Sequence, residues 1–196
     1  MVSLISGAAP TRLCGGGGDH RSRGAYPTMA RMGAQGTRAI EAARRSGVTY
    51  AVHEYAHDPR AALQEGGRGY ALEAVEALGI DPRLVFKTIV VSVDGRLGIA
   101  VVPADAEVDL KAVAGALGGR RAVIAAAPDA ERATGYVLGG ISPLGTKRAL
   151  PTVIDDSAAG LPAIHVSAGR RGLEIELAAS DLAQLTRGAL APVARR

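Results

Sequence analysis

Two apolar runs, Leu84–Val93 and Leu97–Val102, flank the dipeptide Asp94-Gly95, and no other feature of this chain restricts its fold as much. Asp-Gly is a preferred dipeptide of tight two-residue hairpin turns, where both central residues take positive φ. Neither run alternates apolar with polar residues, so both faces of the hairpin are buried and it belongs in the middle of a sheet. Lys87 interrupts the first run, Leu84-Val85-Phe86-Lys87-Thr88-Ile89-Val90-Val91, in a chain that has three lysines and twenty arginines. An ammonium group among such neighbours must find an anion, reach water or lower its pKa, because desolvation disfavours the charged form. It reads either as a side chain that snorkels outward or pairs with a carboxylate such as Glu54 or Glu174, or as a functional lysine that holds a substrate carbonyl or phosphate.

The elements around the hairpin follow from caps and periodicity. Thr37 caps a helix that runs to about Ser46 with Gly47 as its stop, a strand follows at Val48–Tyr55, and His57-Asp58-Pro59 turns the chain. Arg60–Gly69 reads as a mobile polar loop before a helix at Tyr70–Leu78, closed by Gly79 and the Asp81-Pro82 turn. After the hairpin come a capped helix at Asp109–Leu117, a strand at Ala122–Ala126 and a short helix opened by Pro128 and stopped near Gly135. Short strands are expected at Tyr136–Leu138, Thr152–Ile154, Ile164–Val166 and Gly172–Leu177, and Ser180 caps a last helix through Thr186. Strands outnumber helices without βαβ alternation, which predicts an α+β domain around a mixed, curved sheet. Residues 1–36 include Gly15-Gly16-Gly17-Gly18 and no apolar periodicity, so they read as a disordered extension before one domain at 37–196. Met29 and Met32 stand just before the first periodic segment as alternative starts.

Composition excludes several classes. Phe occurs once and Trp not at all, so the core is built from Val, Ile, Leu and Ala, with little aromatic surface on which nucleobases could stack. The net charge is +4, but Arg12, Arg21, Arg23 and Arg31 against Asp19 place most of it in the first 36 residues. The rest is nearly neutral, a weak case for a broad nucleic-acid surface. Cys14 is the only cysteine, which removes any intrachain disulfide. A first segment too short for a signal-peptide core, and no apolar run of about 18 residues, make a cytoplasmic protein without a membrane partner the expectation. No metal cluster, Walker-type phosphate loop, nucleophile elbow or dinucleotide fingerprint is present, so no cofactor is expected. His53-x-Tyr55-x-His57 puts two histidines on one face of a strand, but no third ligand is evident, and edge-strand histidines are the plainer reading.

Two further segments stand out. Thr134-Gly135-Tyr136-Val137-Leu138-Gly139-Gly140-Ile141-Ser142-Pro143-Leu144-Gly145 fixes irregular backbone whose N–H groups can point at a ligand oxygen, though a pair of tight turns would also account for it. Val166-Ser167-Ala168-Gly169-Arg170-Arg171-Gly172 is either a solvated turn or a phosphate contact through the arginine forks, which Lys147-Arg148 could extend.

Taken in order, Val85-Phe86-Lys87-Thr88, the glycine-rich segment and Val166–Gly172 resemble the YbaK/EbsC group, free-standing relatives of the editing domain of bacterial prolyl-tRNA synthetases. His53-x-Tyr55-x-His57-Asp58-Pro59, Leu78-Gly79, Val102-Pro103 and Lys147-Arg148-x-Leu150-Pro151-Thr152 add to the likeness, which spans roughly residues 38–195. The resemblance implies a barrel-like version of the mixed sheet with flanking helices, and hydrolysis of mischarged Cys-tRNA(Pro), in this group also Cys-tRNA(Cys). The partner is then the aminoacylated end of tRNA, with prolyl-tRNA synthetase as a candidate second partner. The resemblance implies that Lys87 is the family's essential lysine and that Gly139 and Gly140 line the aminoacyl pocket, and the backbone N–H groups of this glycine loop are the candidate donors to the oxyanion. Tyr55, Thr88, Thr134, Ile141, Ser142, Ser167, Arg170 and Arg171 are the expected substrate contacts. The attacking group in such enzymes is the substrate's own thiol, a step favoured by intramolecular proximity. The alternatives are a deacylase for another small aminoacyl group, such as Ala-tRNA(Pro), and a module that binds aminoacyl-tRNA without turnover.

Overall fold

The computed structural model describes residues 36–58 and 68–195. The expected extension over 1–36, except its last residue, lies outside the described residues, and so does most of the Arg60–Gly69 loop. The elements are α1 (Arg38–Ser46), β1 (Tyr50–Glu54), α2 (Arg68–Leu78), β2 (Phe86–Val93), β3 (Arg96–Pro103), β4 (Glu107–Val108), α3 (Leu110–Ala116), β5 (Ala122–Ile124) and α4 (Ala127–Thr134). Then come β6 (Thr152–Asp155), β7 (Ile164–Ser167), β8 (Leu173–Leu177), α5 (Ala179–Thr186), β9 (Ala189–Ala191) and β10 (Ala194–Arg195).

The hairpin forms where its turn chemistry dictates. Asp94 and Gly95 have φ of 48° and 84°, and the Asp94 carboxylate accepts the backbone N–H groups of Arg120 and Arg121 at 2.8 and 3.0 Å. In the five-stranded sheet β5-β2-β3-β6-β9 the hairpin strands are interior, and β3–β6 and β6–β9 are parallel while the other pairs are antiparallel. Alternate residues explain the doubly apolar pattern. Phe86, Val90, Ile99 and Val101 enter one core with Ile154, Ile164, Val166, Leu173 and Ile175, while Val91, Val93, Ala100 and Val102 enter a second beneath α3 with Val113 and Val153.

A three-stranded sheet, β1-β8-β7, closes the first core from the other side, and β10 pairs with β4 as a separate ribbon. The two larger sheets are joined by one parallel bridge between Val85 and His165. The α+β class and the mixed sheet are as expected, but the sheet does not close into a barrel. Other departures have local causes. Tyr136–Leu138 is not a strand, because the Tyr136 hydroxyl donates to the carbonyls of Leu144 (2.8 Å) and Gly145 (3.2 Å) and folds the segment back on itself. Ser180 does not cap α5; the cap position is Ala178, without a side-chain bond, and Ser180 lies inside the helix. Helix α2 begins at Arg68, so Arg68 and Gly69 belong to it rather than to the loop. Strands β4, β9 and β10 were not legible, and β10 is held by the buried Asp155 carboxylate, which accepts from the backbone of Val193 and Ala194 at 3.0 and 2.8 Å.

Candidate functional site

The Val85–His165 bridge aligns β2 with β7, and side-chain alternation then places Val85 and Lys87 on the same face as His165 and Ser167. In the registers of β7, β8 and β1, Ser167 stands opposite Glu174, and His53 stands opposite Glu174 on the other side. A polar row of Lys87, Ser167, Glu174 and His53 thus crosses four strands. Helix α2 covers this face, with Ala71 and Val75 packed against Val85. The Lys87 ammonium donates to the carbonyls of Ala106 at 2.6 Å and Ala104 at 3.4 Å, just beyond the end of β3. One position along β2, Thr88 points to the opposite face, with Phe86 and Val90.

The hydroxyls of Thr88 and Ser167 are buried and find no hydrogen-bond partner among the described residues. Such groups are rare in folded proteins and call for an explanation, a bound ligand being one. Glu174 is 7% exposed, and burial pushes its carboxyl up to about 8. Tyr55, two residues beyond His53 on the same side of the chain, has its phenol raised well above the usual range by burial first, then by the carboxylates of Glu174 and Glu73. Its backbone N–H donates to the Gly172 carbonyl at 2.9 Å.

The glycine-rich segment is clamped rather than loose. Arg38 of α1 donates to the Thr134 carbonyl at 2.9 Å and lies over the Tyr136 ring at 4.7 Å. Arg171 donates to the Leu138 carbonyl at 2.9 Å and lies 5.3 Å from the Tyr70 ring centre. Gly139 has φ +79° and presses on the Tyr70 ring, where a Cβ would come within 2.6 Å. At Gly140 a Cβ would stand 2.7 Å from the Arg170 Cα, a backbone atom that cannot rotate away. Gly140→Ala is therefore expected to lower the unfolding free energy by about 1–3 kcal/mol, the usual cost of overpacking. A urea titration measures this, and an unchanged midpoint would mean that the loop does not rest on the Arg170 turn.

Seven of the expected site residues form two groups, while Thr88 lies on the opposite face of β2. Lys87, Ser167 and Tyr55 share the polar side of the sheet, and Gly139, Gly140, Arg170 and Arg171 form a wall against α2. Arg170 pairs with Glu54 at 2.7 Å, so one of the carboxylates considered for Lys87 is engaged there. Thr134, Ile141 and Ser142 are instead buried in the fold. The Thr134 hydroxyl donates to Ala130 (2.7 Å), Ile141 is in the first core, and the Ser142 hydroxyl accepts the Leu144 N–H at 3.2 Å. The Gly140 N–H donates to the Val137 carbonyl at 3.0 Å, whereas the Gly139 N–H makes no hydrogen bond to a described residue.

Sequence reasoning missed Glu174 as a site residue. Leu173-Glu174-Ile175-Glu176-Leu177 alternates like a half-exposed strand, yet Glu174 is buried in the folded chain. It also missed Tyr70 and Glu73 on α2. Glu73 receives His57 Nδ1 at 3.0 Å and the Asp58 backbone N–H, which ties the end of the β1 segment to the helix. A groove of about 650 Å³ lies at the far end of the β2–β3 hairpin, between Ser92, Arg96, Leu117, Ile124 and Arg148, and holds none of the expected site residues. No helix among the described residues is long and apolar enough to cross a membrane.

The chain belongs to the aminoacyl-tRNA editing domain family, whose model matches residues 68–185. That stretch holds Lys87, the glycine loop and the Ser167–Arg171 turn. Among curated proteins, a chain from Enterococcus faecalis provisionally named Cys-tRNA(Pro)/Cys-tRNA(Cys) deacylase EbsC is 41% identical over 125 residues, which is 63% of this chain and 76% of that one. Two solved structures share the fold at 21% identity over 81% of this chain. One, described as a candidate trans-editing enzyme for prolyl-tRNA synthetase, has a TM-score of 0.67 and is covered over 96% of its length. The other, hypothetical protein APE2540, has a TM-score of 0.70 and is covered completely.

Proposed function

We propose that the protein is a trans-editing hydrolase that releases cysteine from Cys-tRNA(Pro), and also from Cys-tRNA(Cys). Membership of the editing family and the name of the Enterococcus faecalis relative support the reaction class. The observation that carries the reading is the buried, unpartnered Ser167 hydroxyl on the Lys87 face, beside the glycine loop. Lys87 clamps the terminal nucleotide through its phosphate or ribose. Ser167 offers a hydrogen bond to the aminoacyl end, Tyr55, Arg170 and Arg171 border its approach, and Thr88, on the opposite face of β2, takes no part. The Gly139 N–H is the better oxyanion donor of the two glycines, since that of Gly140 is taken by Val137.

The substrate supplies the attack. Its thiol sulfur bonds to the ester carbonyl carbon, the bond from that carbon to the ribose oxygen breaks, and the thiol proton ends on the departing ribose. This releases tRNA and a cyclic thioester, which water opens to cysteine. Holding thiol and carbonyl together contributes most of the acceleration, and selectivity for Cys over Ser follows from the greater acidity and nucleophilicity of the thiol. Recognition of the tRNA body rests on a partner such as prolyl-tRNA synthetase, in keeping with the near-neutral charge outside the first 36 residues.

A deacylation panel tests the reading: Cys-, Ala- and Ser-tRNA(Pro) with Cys-tRNA(Cys), each with and without prolyl-tRNA synthetase. Multiple turnovers on the cysteinyl esters, with the alanyl ester nearly untouched, are expected. Faster release of alanine would assign the site to another aminoacyl group and a water attack. Product that stops at one equivalent per protein would identify a binding module.

A further inference from the structure

Three donor side chains lie on the same polar face and have no part in that reaction. His53 projects from β1, Glu176 from β8 and His165 from β7. His165 is directly opposite Glu176, and His53 is opposite Glu174, one diagonal step away. His53 Nε2 is 2.8 Å from Glu176 Oε2, the two imidazole centres are 5.1 Å apart, and one donor atom from each of the three lies within 4.8 Å of the others. His57 is not part of this group; it is turned toward Glu73. In place of His57, the partners of His53 are brought by strands more than a hundred positions away.

We propose that His53, His165 and Glu176 form a site for one divalent cation of the Zn²⁺ class, which pins β1, β8 and β7 together. Bonds of about 2.0–2.1 Å in tetrahedral geometry hold donor atoms ~3.3 Å apart, inside the range of 2.8 to 4.8 Å found here. Small side-chain rotations close the rest. A second observation points the same way. His165 is 5% exposed, and its Nδ1 has no hydrogen-bond partner among the described residues. Buried imidazole nitrogens are ordinarily satisfied, so an unpartnered ring nitrogen on a residue of this cluster calls for a ligand. Two imidazoles and one carboxylate favour Zn²⁺, Co²⁺ or Ni²⁺ over Mg²⁺ and Ca²⁺, which take oxygen ligands. The side chains of His53 and Glu176 are 34% and 23% exposed, so an ion can enter from solvent and keep a position for water or an external ligand.

The site is independent of the deacylase reading, and its test does not use activity. The full chain, stripped with EDTA and dialysed, is titrated with Co²⁺ and then with Zn²⁺. Saturation at one equivalent with visible d–d absorption, displacement by Zn²⁺, and a rise of several degrees in the thermal midpoint with Zn²⁺ are expected. His53→Gln, at a partly exposed position that tolerates the change, should abolish the absorption and the thermal shift, and His165→Phe should do the same. If His165→Phe does not fold, His53→Gln alone decides. Cys14→Ser, His20→Asn and His57→Asn should leave binding intact. No saturable binding, binding that survives His53→Gln, or binding lost in any of the three control variants overturns the proposal.

Discussion

Lys87→Met is expected to lower kcat/KM for cysteine release from Cys-tRNA(Pro) by at least ~100-fold, a loss of about 3 kcal/mol of transition-state stabilisation. Methionine keeps most of the length of the buried stem, so packing against the apolar face is largely retained. The change removes the ammonium and its two hydrogen bonds to the carbonyls of Ala106 and Ala104. Those carbonyls lose a donor, at a stability cost of about 1–2 kcal/mol, visible as a drop of a few degrees in the thermal midpoint. Activity should therefore fall far more than stability. The split between the two kinetic constants identifies what the ammonium holds. A clamp on the terminal phosphate or ribose acts in ground and transition states alike and appears as a raised KM, whereas a contact to the ester carbonyl lowers kcat. Full activity in the variant would make the lysine a prop for the end of β3, and the proposed site would have to move.

The legible parts of this fold were those set by local chemistry. Asp94-Gly95 carries its own turn geometry, Thr37 and Asp109 cap helices with side chains that reach the N–H groups of Ile40 and Ala112, and double burial of β2 and β3 follows from their unbroken apolar runs. Tyr136–Leu138 failed because strand propensity is a weak preference, and one hydroxyl bonded to Leu144 and Gly145 outweighs it. Ser180 failed because the chain turns into α5 two residues earlier, at Ala178. For the site, Lys87 and the glycine loop were readable as departures from their surroundings: a charge in an apolar strand, and glycines where backbone meets a ring or another backbone. Thr134 and Ser142 looked equally polar, but their hydroxyls serve the fold. The His53–Glu176 contact joins residues 123 positions apart, and only the strand order of the second sheet brings them together. The burial of Glu174 depends in the same way on its place between β1 and β7 in that sheet.

That burial predicts the other large effect. The Glu174 carboxyl has an ordinary value of 4.5 and is pushed up to about 8 in the folded protein by burial. Between these values the folded chain holds a proton that the unfolded chain has released. Where the native state binds more protons, the unfolding free energy falls as pH rises. The contribution of Glu174 is fully present below about pH 4.5, is lost progressively up to about pH 8, and changes little above it. Over the whole window it amounts to a few kcal/mol, at about 1.4 kcal/mol for each pH unit. Glu174→Gln keeps the shape of the protonated acid and cannot ionise, so it removes this slope. Urea unfolding from pH 5 to pH 9, with EDTA present to exclude cations, should show variant and parent converging near pH 5. At pH 9 the variant should be more stable by that same few kcal/mol. Parallel curves for the two proteins would mean that the carboxyl ionises as it does in water, and that this side of β8 is open to solvent.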